Sequence, residues 1–192
     1  MISYGKIYCI SSTGPMLPAY FASAFGETEK KDIINKTYCN GIRIFKMLQG
    51  REPDPFEQDS TYRAAEEYAD RLLKKPTTRT TNHLLEITHP LLSIENTFSI
   101  AKKISQLLKD TALCSVSNFD ESAFQLSVIR NGTPLTVHQI GDTLSQMNME
   151  TKRGDVGIIA SFFNIPFTAA SEFIQISNPM DAEDLFFRTI VP

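Results

Sequence analysis

The residues most able to do chemistry cluster between 83 and 89, where His83, Glu86 and His89 stand at H-x2-E-x2-H. Imidazole and carboxylate are the usual ligands of zinc, manganese and iron, so such a cluster invites a metal site. Its spacing argues against one. On a helix His83 and His89 point apart. On a strand they share a face about 20 Å apart with Glu86 on the other, and neither geometry closes on one ion. No metal ligand and no cofactor is therefore assigned. The run Cys9-Ile-Ser-Ser-Thr-Gly-Pro15 follows a strand-like stretch and precedes a helix-like one, the setting in which backbone N–H groups cradle an anion. It holds no basic residue, so it reads as a Ser/Thr-rich turn. Asp120 and Glu121 are adjacent carboxylates, but neighbours in a tight loop point apart, which suits neither acid–base work nor Mg²⁺. Phosphate loops, dinucleotide fingerprints, HExxH, GxSxG and paired-cysteine motifs are absent from the sequence. No catalytic residue is assigned. An enzyme would need a dispersed site, with Cys9, His83, His138 and Asp120 as its candidate parts.

Residues 114–141, CSVSNFDESAFQLSVIRNGTPLTVHQIG, alternate apolar and polar side chains. Asn131-Gly132 is the strongest two-residue hairpin signal, because both residues tolerate the positive φ of a type I′ turn. The spacing predicts a three-stranded meander over about 113–140. Val128 is set opposite Leu135, Leu126 opposite Val137, Val116 opposite Leu126 and Cys114 opposite Val128. Cys114, Val116, Phe124, Leu126, Val128, Leu135 and Val137 then form the core face. The other beat carries Ser115, Ser117, Gln125, Ser127, Thr136 and His138, with His138 opposite Gln125. These short or neutral side chains differ from the Lys/Glu mixture of a simply solvated face, and they are the candidate binding face.

The elements that position these residues are a strand over 6–11, a short helix over 18–26, and amphipathic helices over 60–75 and 94–109. A strand over 83–88 and short helices after Asp155 and Asp181 complete the set. Residues 27–41 read as loop or frayed helix, 41–50 as ambiguous, and 51–56, with two prolines, as loop. Residues 77–82 read as a polar connection. The pattern is α+β: an antiparallel sheet whose meander is covered by the two amphipathic helices, with a helical C-terminal end.

At 192 residues the chain fits one α+β domain, 1–192, with a subdivision at 1–56 and 57–192 as the alternative. Its net charge is −3, and nothing points to nucleic acid. Residues 110–192 hold ten acidic against four basic residues, which suits a protein partner with a basic surface. Three widely spaced cysteines exclude a disulfide framework, and Cys9 and Cys114 read as core thiols. No run of about 18 apolar residues is present, so no membrane span is expected. Without a signal-peptide pattern either, the chain reads as cytoplasmic.

The helix at 94–109, the strand ending Phe119-Asp120, the hairpin AFQLSVIRNG and the later KRGDVGIIASFFNI together resemble a module of small uncharacterised bacterial proteins, some found near toxin–immunity systems. The likeness spans residues 94–163 and rests on fold-determining residues, so it carries no active site. It implies a non-enzymatic protein-interaction or immunity-like module. A dispersed-site enzyme and a small-ligand-binding regulatory domain are the alternatives.

Overall fold

Six strands among the described residues form one antiparallel sheet: β1 (Ser3–Ile10), β2 (Thr77–Thr81), β3 (Leu84–Thr88), β4 (Leu113–Phe119), β5 (Ala123–Arg130) and β6 (Thr133–Ile140). Their order is β2-β3-β1-β4-β5-β6. The computed structural model describes residues 3–10, 17–74, 76–81, 83–119 and 122–191. Two compact units divide the chain, residues 1–17 with 77–192 and residues 18–76. The compositional boundary at 56/57 falls inside a helix of the second unit.

The predicted pairing of β4 with β5 is found, with Cys114 opposite Val128 and Val116 opposite Leu126. Asn131 and Gly132 join β5 to β6 at φ 47° and 71°, both positive as the type I′ turn demands. Beyond the turn the expected register fails by one residue. Arg130 faces Thr133 and Ile129 faces Pro134, but a bulge then sets Val128 opposite Thr136 and Leu126 opposite His138. Pro134 has no N–H to give the ladder, and proline inside a sheet is confined to edge strands and bulges. One slipped residue turns the strand over. Leu135 is 40% exposed and Val137 half-buried, so neither joins the predicted core face.

Both faces of the central strands are covered. One lies under helix α4 (Thr97–Leu108), whose buried stripe is Thr97, Ile100, Ala101, Ile104 and Ser105. The helix passes close to the sheet: a Cβ on Gly5 of β1 would fall 1.8 Å from Thr97 Oγ1. Ser105 Oγ accepts from the Gly132 N–H at 3.1 Å, tying the helix to the hairpin turn. Helices α5 (Val156–Phe163), α6 (Phe167–Gln175) and α7 (Pro179–Leu185), with a π-helical turn at Phe186–Ile190, cover the opposite face. Asp155 caps α5 as expected, accepting from Ile158 N at 2.9 Å. Asn178, rather than Asp181, caps α7, with Pro179 as its first residue. Phe186 is the hub of this second core, with ring centroids 5.4–6.2 Å from those of Tyr8, Phe124, Phe163 and Phe173.

The second unit holds helices α1 (Leu17–Ala24), α2 (Glu27–Gln49) and α3 (Pro55–Lys74). Sequence periodicity assigned residues 60–75 to the cover of the meander, but α3 belongs to this unit and pairs there with α2. The two run antiparallel, joined by Lys30–Asp70 (2.7 Å) at one end and by the Tyr38–Tyr62 ring pair (5.7 Å) further along. Residues 51–56 are not all loop. Asp54 Oδ1 accepts from Glu57 N and Glu57 Oε2 from Asp54 N, both at 2.8 Å, a reciprocal capping box that starts α3 at Pro55. The stretch read as loop or frayed helix over 27–41 is the first part of α2, and the Thr-rich connection at 77–81 is the edge strand β2.

Candidate functional site

The bulge divides the six polar-beat residues. Ser115, Ser117, Gln125 and Ser127 share the α4 face, where Ser115 pairs with Ser127 and Ser117 with Gln125. All four are buried, so they are no open binding surface. Gln139, not His138, stands opposite Gln125. Thr136 and His138 lie on the other face, under the C-terminal helices. His138 sits 5.2 Å from the Phe173 ring, and its Nδ1 accepts from Gly154 N at 3.4 Å. Burial, with the charge of Arg153, pushes its pKa down to about 4. Neutral at physiological pH and walled in by the core, it is a structural histidine.

Beside Gln125 the α4 face opens into a cavity of about 390 Å³. Phe98 and Val137 supply apolar wall, Gln125 and Gln139 supply amides, and Glu95 and Lys152 add one charge of each sign. Gln125 is 95% buried, and its Oε1 has no hydrogen-bond partner among the described residues. Ser115 Oγ and Ser127 Oγ, further under α4, are buried without partners in the same way.

The densest group of ionisable side chains lies on the opposite face and escaped the sequence reading. Tyr8 Oη and Lys6 Nζ both donate to Glu86 Oε2, at 2.8 and 3.2 Å. Tyr4 and Asn118 donate to the two carboxylate oxygens of Glu183, on α7. Burial first, and then the neighbouring carboxylates, push the pKa of each tyrosine far above the ordinary phenol value. Both phenols therefore stay protonated and act as donors. The group fastens α7 and β3 to β1, each carboxylate answered by two donors.

The remaining candidates scatter. His83 precedes β3, with Nε2 3.2 Å from Phe162 O, and His89 Nδ1 accepts from Leu91 N at 3.1 Å. Cys9 and Cys114 are buried, and burial pushes the Cys114 thiol well up. Residues 11–16 of the Ser/Thr turn, and Asp120 with Glu121, lie outside the described residues. Among the described residues no three His, Cys, Asp or Glu side chains come together as a metal site. Nor is any helix among them long and apolar enough to cross a membrane.

The second unit carries a different candidate. Phe56 (81% exposed), Met47 (75%) and Leu48 (70%) are the most exposed large apolar side chains described, and all three lie near the loop end of the α2–α3 hairpin. Residues 33–51 hold Lys36, Arg43, Lys46 and Arg51 and no acid. Tyr38, Ile42, Arg43 and Lys46 line a groove of about 360 Å³ along the same hairpin. An exposed run read as ambiguous in the sequence is thus a basic amphipathic helix face. No family model, curated protein or solved structure matches the chain.

Proposed function

We propose that the chain is a non-enzymatic, cytoplasmic protein-interaction module whose binding element is the loop end of the α2–α3 hairpin. The carrying observation is the exposure of Phe56, Met47 and Leu48 on one short hairpin. Burying such side chains is worth about 1.5–3 kcal/mol each, and folding of the isolated chain leaves that stabilisation unused. The surrounding charge selects the partner. Lys46 pairs with Glu52 and Arg51 with Glu57, both at 2.7 Å, so Lys36 and Arg43 are the cations that suit the hairpin to an acidic protein segment with an apolar face.

The basic partner expected from the acidic C-terminal part has less support. Asp155 caps α5, Glu183 anchors α7, and Asp184 pairs with Arg188 at 3.2 Å, so these acids are occupied locally. An immunity-like role is the form of this proposal that the likeness of residues 94–163 to bacterial modules near toxin–immunity systems suggests.

A photo-crosslinker placed at Met47, with a control at exposed Phe167, tests the proposal in the host cell. The expected result is an acidic protein captured at Met47 alone. With both components purified, its binding should weaken with salt and disappear in Leu48→Glu and Arg43→Glu. Capture only at the control position, no capture, or binding indifferent to both substitutions would overturn the proposal. So would a homodimer in light scattering that Met47→Glu dissolves, because the occupant would then be a second copy.

A further inference from the structure

The cavity beside Gln125 is independent of the hairpin and lies wholly within the sheet-bearing unit. We infer that it binds a small, neutral, planar molecule presenting a carboxamide or lactam edge.

Size comes first. About 390 Å³ is more than ten times the roughly 30 Å³ share of one water, and it falls within the range of about 300–1,000 Å³ usual for small-molecule sites. The polar groups set the chemistry. Gln125 is nine-tenths buried with an unpartnered Oε1, an arrangement that costs stability unless something answers it. Gln139 stands directly across the β5–β6 ladder, so two carboxamides are juxtaposed at the cavity wall. Each amide offers both a donor and an acceptor. Their complement is another group with an N–H beside a C=O, as in a lactam or a primary carboxamide. Phe98 and Val137 supply the apolar surface for a flat ring. Glu95 and Lys152 cancel in charge, which favours a neutral ligand over an anion or a cation.

Packing supports the same assignment. Ile7, Leu113 and Ile129 fill the α4 face further along, but the residues around Gln125 on it are small: Ser117, Ala123 and Ser127. Gln125 is the long exception in that set, and it stands where the covering surface opens into the cavity.

The experiment uses the purified full chain labelled with ¹⁵N. Uracil, hypoxanthine, nicotinamide and benzamide are the probes, and toluene and benzoate the controls. Amide-bearing probes should bind with dissociation constants at or below about 1 mM. Their chemical-shift changes should centre on Phe98, Gln125, Val137 and Gln139. Gln125→Met removes the buried amide at nearly constant volume. It should keep or raise thermal stability and weaken binding about tenfold, the loss of one to two hydrogen bonds. Val137→Phe, which fills the cavity from the opposite strand, should abolish binding whether or not Gln125→Met folds. The inference fails if no amide-bearing probe binds, if toluene or benzoate binds as tightly, or if Val137→Phe binds as the unaltered chain does. Equal binding by a folded Gln125→Met chain would also overturn it.

Discussion

His138 makes the fold sensitive to mild acid. Its ring is fully buried against Phe173, its Nδ1 is an acceptor for the Gly154 N–H, and its Nε2 has no partner among the described residues. A proton added to Nδ1 would turn that acceptor into a second donor with nothing to receive it, with the Arg153 charge opposing it as well. The folded pKa is accordingly about 4, below the ordinary 6.5. Between those values the unfolded chain binds the proton and the folded chain does not. Stability therefore falls as pH drops from about 6.5 toward 4. At 1.36 kcal/mol per pH unit the full gap amounts to about 3 kcal/mol. Urea unfolding at pH 7, 6, 5 and 4 should show this loss in the unaltered chain. His138→Gln keeps an acceptor for Gly154 and cannot titrate, so its stability should fall by about 3 kcal/mol less over the same range. The difference between the two chains cancels the contributions of all other groups. Parallel pH profiles would refute the reasoning, as would an imidazole titration of folded His138 near pH 6.5 by NMR.

Three further outcomes test the packing by urea midpoint at pH 7. Gly132→Val forces a β-branched residue to positive φ and should cost about 1–2 kcal/mol, and an unchanged midpoint would contradict the turn type. Phe186→Ala empties the hub of the second core and should cost about 3–5 kcal/mol, while Phe98→Ala, half-buried at the cavity wall, should cost less than half of that. Equal losses would mean that α4 is seated more deeply than described. Tyr4→Phe removes one donor from Glu183 and should cost about 1.5–3 kcal/mol, with α7 loosening first in hydrogen exchange. Uniform exchange rates across the C-terminal helices would argue against Glu183 as the anchor.

Local chemistry made some of the fold legible and hid the rest. The β4–β5 register and the Asn131-Gly132 turn were readable because short-range spacing determines both. The slip in β6 has one sequence signal, Pro134 two residues past the turn, and strict alternation overrode it. Helix α2 was left between loop and frayed helix, and then ambiguous, because Met47 and Leu48 are apolar yet exposed, which blurs the periodicity. The start of α3 was missed because Pro55 reads as a breaker until Asp54 and Glu57 are seen as a capping pair. Strand β2 was missed because Thr-Thr-Arg-Thr-Thr carries no apolar beat at a sheet edge. The Tyr4–Glu183 anchor spans 179 residues and has no local signature.

The alternation at 114–141 misled about exposure because it was read as a choice between water and core. Residues 113–118 of β4 and all but the last of β5 are buried on both faces. With no wet face, alternation sorts side chains between two covers, and on the α4 face the serines stand among the large apolar Ile7, Leu113 and Ile129. The C-terminal helices present large rings and meet Phe124, Leu126 and Val128. Helix α4 lies so close that Gly5 leaves no room for a Cβ, and its partner across the ladder is the small Ser117. Two of the three serine hydroxyls, of Ser115 and Ser127, have no partner among the described residues. Gln125 is a long amide beside Ser117, Ala123 and Ser127, and it lines the cavity of about 390 Å³. Of the six polar-beat residues, Gln125 is the one that both lines a cavity and holds a buried side-chain oxygen with no partner among the described residues.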